Sequence, residues 1–159
     1  MNYYDDQFQK GKEYEQFIIN KLKEHGITLT LTKNFNEQIN IGETYEGYEI
    51  KFDDKYRDTH NIWIETEERT DPEKQYVDAG INRKDNTIKY VIGDYERIFI
   101  FKKSMLKELM NEKEIRENNM KTSKGFLLTE SEAFRYSDRI VEFNTKQISL
   151  ANWVNNTSI

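Results

Sequence analysis

Two short runs dominated by hydrophobic residues constrain this chain most: 88–92, with Ile88, Tyr90, Val91 and Ile92, and 98–101, Ile-Phe-Ile-Phe, separated by Gly93-Asp94. Strands that are apolar on both faces need a covering layer on each side, so these two runs predict buried strands inside a layered sheet. Around them the pattern changes. The segment 5–24 reads as a helix, with Gly26 as its stop signal. The segment 27–33 alternates Ile27, Leu29 and Leu31 with Thr28, Thr30 and Thr32, which predicts a half-buried strand. Segments 40–43 and 48–53 read as a hairpin around Thr44-Tyr45-Glu46-Gly47, and Ile62-Trp63-Ile64 as a further strand. The polar segment 67–86, with the only proline, Pro72, reads as a loop or insertion. A helix is expected over 104–118, a polar and mobile stretch over 113–124, short strands at 126–128 and 140–141, and a helical turn at 131–134. Consecutive strands with helices toward the ends predict an α/β or α+β sandwich with a central mixed sheet flanked by helices.

The 159 residues fit a single domain spanning 1–159. With 21 aromatics (ten Tyr, nine Phe, two Trp) the chain can build a core, which separates it from disordered chains of similar charge. It has no Cys and only two His, His25 and His60, which rules out disulfides, thiolate zinc sites and a His-rich metal centre. Any bound metal must be a hard cation held by carboxylates and carbonyls. The net charge of −5 argues against a general polyanion binder, although an acidic metal site contributes to that balance. No apolar run approaches a membrane span, and the acidic, aromatic start MNYYDDQF is unlike a signal peptide. The expected compartment is the cytoplasm, with no membrane partner and no nucleotide cofactor.

Three features converge on one chemistry. In Tyr48-Glu49-Ile50-Lys51-Phe52-Asp53, strand alternation puts Glu49, Lys51 and Asp53 on one face. A carboxylate that holds a divalent ion, beside an ammonium that steers an attacking water or stabilises phosphate charge, is a hydrolytic pairing. Glu43 precedes the hairpin turn and, in a three-residue connection, lies opposite Glu49, a crowding tolerable only with a proton or cation between them. Glu15 falls in the middle of the helical stripe Phe8, Gly11, Ile18, Ile19 and Leu22, with Phe17 on the far side. A carboxylate in the centre of a buried face must be paired or bound to a metal.

The spacing Gly11-x-x-x-Glu15, an acidic residue before a turn (Glu43), and Glu49-x-Lys51 on the next strand together resemble the PD-(D/E)xK nuclease superfamily. The segments Asn40-Ile41-Gly42-Glu43, Glu49 to Asp53, Asn61-Ile62-Trp63-Ile64-Glu65 and Gly80-Ile81 are similar to small nuclease-like proteins of phages and mobile elements. The resemblance covers about residues 8–101, and Glu43 stands where the family usually has Asp. It implies a restriction-endonuclease-like core and a magnesium- (or manganese-) dependent deoxyribonuclease working in a bacterial or phage-infected cell. Its metal ligands would be Glu43, Glu49, the Ile50 carbonyl and Glu15, with Lys51 orienting the attacking water. The products would carry a 5′-phosphate and a 3′-hydroxyl. The substrate would be DNA, branched or site-specific, and cutting two strands would call for a homodimer.

Each residue also has a plainer role. Glu49 and Lys51 can be an ion pair on a solvated strand face, Glu15 a buried carboxylate paired with a base, and Glu65, beside Trp63, a structural residue. Asp53-x-Lys55 repeats the acid-x-lysine spacing in the same register. Lys55, Arg57, Arg69, Arg83 and Lys84 form a candidate basic rim for DNA, or simply a solvated surface. The competing functions are an inactive nucleic-acid-binding module of the same fold and a small phage-type inhibitor that binds a host protein.

Overall fold

The computed structural model describes residues 3–143. In chain order it holds α1 (Tyr3–Glu24), α2 (Phe35–Asn40), β1 (Tyr48–Phe52), α3 (Tyr56–Thr59), β2 (Asn61–Glu68) and β3 (Val77–Asp78). After a 3-10 turn at Gly80–Asn82 come β4 (Lys89–Gly93), β5 (Arg97–Lys102), α4 (Lys103–Met110), β6 (Arg116–Glu117), β7 (Ser123–Thr129), α5 (Glu130–Tyr136) and β8 (Arg139–Glu142). The fold is α+β.

The strands form two four-stranded sheets, one in the order β1-β4-β5-β8 and the other β3-β2-β7-β6. The first is mixed: β1 runs parallel to β4, and the β4–β5 and β5–β8 pairs are antiparallel. The two hydrophobic runs are its centre. Val91, Ile98 and Ile100 face a core with Tyr14, Ile18 and Leu22 of α1. Tyr90, Ile92, Phe99 and Phe101 face a second core shared with Ile62, Ile64, Phe126 and Leu128 of the other sheet and with Leu106 and Ala133 of α4 and α5. Burial on both faces is why 90–92 and 98–101 carry no charged residue, whereas Ile88, expected in the first buried strand, precedes β4 and is 60% exposed.

Several expectations change. The hairpin at 40–53 does not form. Residues 35–40 are helical because Asn34 caps them, its side chain accepting from the Glu37 amide at 2.9 Å while the Glu37 carboxylate accepts from the Lys33 amide at 2.7 Å. Without that strand, β1 takes β4 as its partner, Glu49 opposite Tyr90. The alternating segment 27–33 keeps Leu29 buried but makes only a single bridge, Leu31 to Thr44, because the facing segment is too short to extend the ladder. The expected loop 67–86 contains the end of β2, β3 and the buried Gly80 and Ile81. The helix expected over 104–118 stops at Met110, and 113–124 holds β6 and the start of β7. On α1 the buried line is Tyr14, Ile18 and Leu22, whereas Phe8 is 67% exposed and Gly11 faces open space, so the helix packs only along its second half.

Candidate active site

β1 lies at the edge of the mixed sheet, and its outward backbone groups need partners. The segment before it supplies them with side chains. The Thr44 hydroxyl accepts from the Tyr48 amide at 2.9 Å and donates to the Tyr48 carbonyl at 2.8 Å. The Glu43 carboxylate accepts from the Ile50 amide at 3.2 Å. Within a strand the amide and carbonyl of one residue point to the same side, so the Ile50 carbonyl shares this edge with Glu43.

Glycine and asparagine hold the segment in place. Gly47 adopts φ +82°, and a Cβ there would meet the Asn86 carbonyl oxygen at 2.8 Å. The Asn86 amide group donates to the Thr44 carbonyl at 2.8 Å, and its backbone amide to the Ile41 carbonyl at 2.7 Å. Asn86 is a positioning residue that the sequence analysis did not single out. It lies 43 residues after Glu43 in a polar segment, so no local pattern marks it.

Glu49 and Lys51 project from one face of β1. Glu49 is 7% exposed and accepts from Lys51 Nζ at 3.0 Å; the Lys51 side chain is 49% exposed. Lys51 is held protonated above its usual range, first by Glu49 and further by Glu43 and Glu65. Glu43 has its carboxyl well above the ordinary 4.5, first through burial and then through the charges of Glu49 and Glu15. The charge of Glu15 also bears on Glu43, and Lys12 Nζ lies 3.6 Å from Glu15 Oε2. The structure therefore brings 15, 43, 49 and 51 together, by a route other than the expected hairpin: Glu43 approaches along the strand edge rather than from a paired strand.

Three buried carboxylate oxygens in this cluster, Glu15 Oε2, Glu43 Oε1 and Glu49 Oε2, have no hydrogen-bond partner. Leaving such an oxygen buried and unmatched costs about 1–3 kcal/mol, more when charged. Among the described residues no three or more acidic or histidine side chains already stand in a metal-holding group. The donor chemistry nonetheless fits magnesium, which commonly takes one or two carboxylates and keeps several waters.

The chain matches no family model, no curated protein and no solved structure.

Other candidates sit elsewhere. Asp53 accepts from the Trp63 amide at 3.0 Å and the Lys55 amide at 3.2 Å, so it joins β1 to β2 and anchors the turn. Arg57 is occupied by Asp94, through Nε at 3.0 Å and Nη2 at 3.1 Å, and by Glu96 at 3.0 Å. Arg69 donates to the Lys121 and Lys74 carbonyls and to Glu117. Arg83 is half-buried behind the 3-10 turn, while Lys55 and Lys84 are exposed. Glu65, read from sequence as structural, accepts from the Ser123 hydroxyl at 2.8 Å; burial raises its pKa, and Lys51 opposes that rise. Its link to Lys51 crosses between the two sheets, which strand alternation cannot reveal.

Proposed function

We propose that this chain is a magnesium- or manganese-dependent deoxyribonuclease of the PD-(D/E)xK type, with a restriction-endonuclease-like core, hydrolysing DNA phosphodiester bonds. The observation that carries the reading is the set of three buried carboxylate oxygens without a hydrogen-bond partner on Glu15, Glu43 and Glu49, the first with only Lys12 at 3.6 Å, beside the protonated Lys51. Glu43 and Glu49, with the Ile50 carbonyl and Glu15, would hold the ion. When bound, that ion would polarise the phosphate and lower the pKa of a coordinated water. Lys51 is kept cationic by its acidic neighbours, so its work is donation: it orients the attacking water and offsets charge on the phosphoryl oxygens. Glu43 holds the Ile50 amide and so fixes the strand edge against which the phosphate would rest.

The test is incubation with plasmid and branched DNA in magnesium or manganese. Lys51→Ala and Glu49→Ala should each lower cleavage by about 10²–10⁴-fold, and Lys51→Ala should still bind manganese. Wild-type protein that leaves all these DNAs intact would refute the assignment. A second reading is a small protein-interaction module. It is favoured by the net charge of −5 and by the commitment of Arg57 and Arg69 to internal ion pairs, which removes two cations from the expected DNA rim. Failure to bind any DNA, with a stable fold, would favour it.

A further inference from the structure

The proposed chemistry leaves Glu65 without a role, yet the fold fixes its place from three sides. On β2 it pairs with Gly125 of β7, so no side chain stands opposite it on the neighbouring strand. Gly80, at φ +51°, packs so closely on its backbone that a Cβ there would lie 2.0 Å from the Glu65 carbonyl oxygen. The Ser123 hydroxyl donates to its carboxylate at 2.8 Å. Gly80 also ties this residue to the acidic cluster. Its carbonyl accepts from the Tyr90 hydroxyl at 2.8 Å, and Tyr90 stands opposite Glu49 in the parallel ladder. The second sheet is thereby braced against the strand pair that carries Glu49 and Lys51, and the charge of Glu65 acts on Lys51 across that brace.

Lys51 needs a second anion. Its Nζ is held by Glu49 Oε1 at 3.0 Å, but its side chain is long, flexible and 49% exposed. The other oxygen of Glu49, Oε2, is buried without a hydrogen-bond partner. With a divalent ion on Oε2, the charge that Glu49 offers Lys51 is partly neutralised, and two cations then stand close together. A carboxylate outside the ligand set offsets that repulsion. We propose that Glu65, oriented by Ser123, is the positioning residue of Lys51: it keeps the ammonium beside Glu49 when Glu49 also carries the ion. This rests on the nuclease reading and deepens it, since it assigns the group that keeps Lys51 in place during hydrolysis. Burial raises the Glu65 carboxyl, but Lys51 and the Ser123 hydroxyl both favour its ionised form.

Two readouts on the full chain test it. The first is the order of the Lys51 side chain, followed by NMR of its ammonium group with and without magnesium. In wild-type protein it should stay ordered in both conditions. Glu65→Gln keeps an acceptor for the Ser123 hydroxyl and removes the charge. Its Lys51 should be ordered without magnesium, where Glu49 suffices, and mobile with it. Ser123→Ala leaves the carboxylate and removes what orients it, so it should show the same change to a smaller extent, and it takes over the test if Glu65→Gln does not fold. The second readout is magnesium-dependent cleavage of plasmid DNA. Glu65→Gln should lower kcat by about 10–100-fold, the scale for partners that orient the groups of a metal site, with the KM for DNA and the manganese affinity unchanged. A Lys51 side chain that stays ordered in Glu65→Gln with magnesium, or an unchanged kcat, overturns the inference. The two readings fail separately. Wild-type protein that cuts no DNA, with Lys51 loosened in Glu65→Gln, removes the nuclease and keeps the tether; cleavage at the wild-type rate in Glu65→Gln removes the tether and keeps the nuclease.

Discussion

At the scale of single residues, the side chain that decides the behaviour of the site is Glu43. Its carboxyl is raised above the ordinary 4.5 in the folded chain, first by burial and then by Glu49 and Glu15. The native state therefore binds that proton more tightly than the unfolded chain does. The stabilisation is complete below the unfolded value and is lost as pH rises through the raised folded value. Metal-free protein should accordingly lose stability as the pH climbs above the ordinary carboxylate range and through the raised value of Glu43. Glu43→Gln, which carries no charge to bury, should flatten that decline and be more stable at the alkaline end by about 1–3 kcal/mol. Urea unfolding across the pH series checks this, and parallel curves for the two proteins would contradict it. A divalent ion would have to displace the same proton, so manganese affinity should rise with pH and binding should release protons into the buffer, measurable by calorimetry in buffers of different ionisation enthalpy.

At the scale of elements, the site depends on a segment with little regular structure. Residues 42–47 are held by Asn86 and by the left-handed turn at Gly47. Asn86→Ala should cost about 1–2 kcal/mol of stability, through the lost bond to the Thr44 carbonyl, and should weaken manganese binding by letting Glu43 drift. Gly47→Ala should cost at least about 1–3 kcal/mol, since an L side chain is strained at φ +82° and its Cβ would collide with backbone. Loss of metal affinity in Gly47→Ala without loss of stability would contradict the second estimate.

The same region shows what was legible. Tyr48-Glu49-Ile50-Lys51-Phe52 declares its alternation, and the strand and its polar face follow from it. The runs at 88–92 and 98–101 declare burial on both faces and became the centre of the mixed sheet. The partner of β1 was not legible, because Ile39 and Ile41 suit a strand as well as they suit the end of a helix. Asn34-x-x-Glu37, a helix-start spacing, was the signal that favoured α2. Glu15 was legible as a carboxylate near an apolar stripe, but the stripe was centred too far toward Phe8. Helical periodicity gives the angle of a face and not the length over which a neighbour covers it.

At the scale of the whole molecule, two sheets share one core, and Glu65 of β2 acts electrostatically on Lys51 of β1 from one sheet to the other. No helix among the described residues is long and apolar enough to cross a membrane. If the chain cuts both strands of its substrate, two copies must meet on it, and light scattering with branched DNA should give a mass of two chains per DNA; a single chain per DNA would contradict paired cutting.

The most direct measurement is anomalous diffraction from a crystal soaked in manganese. One peak should lie between the carboxylates of Glu43 and Glu49, within reach of the Ile50 carbonyl, and should vanish in Glu49→Gln. Maps from a saturating soak that place manganese elsewhere, or nowhere, would contradict the claim that these buried carboxylates exist to hold a divalent ion.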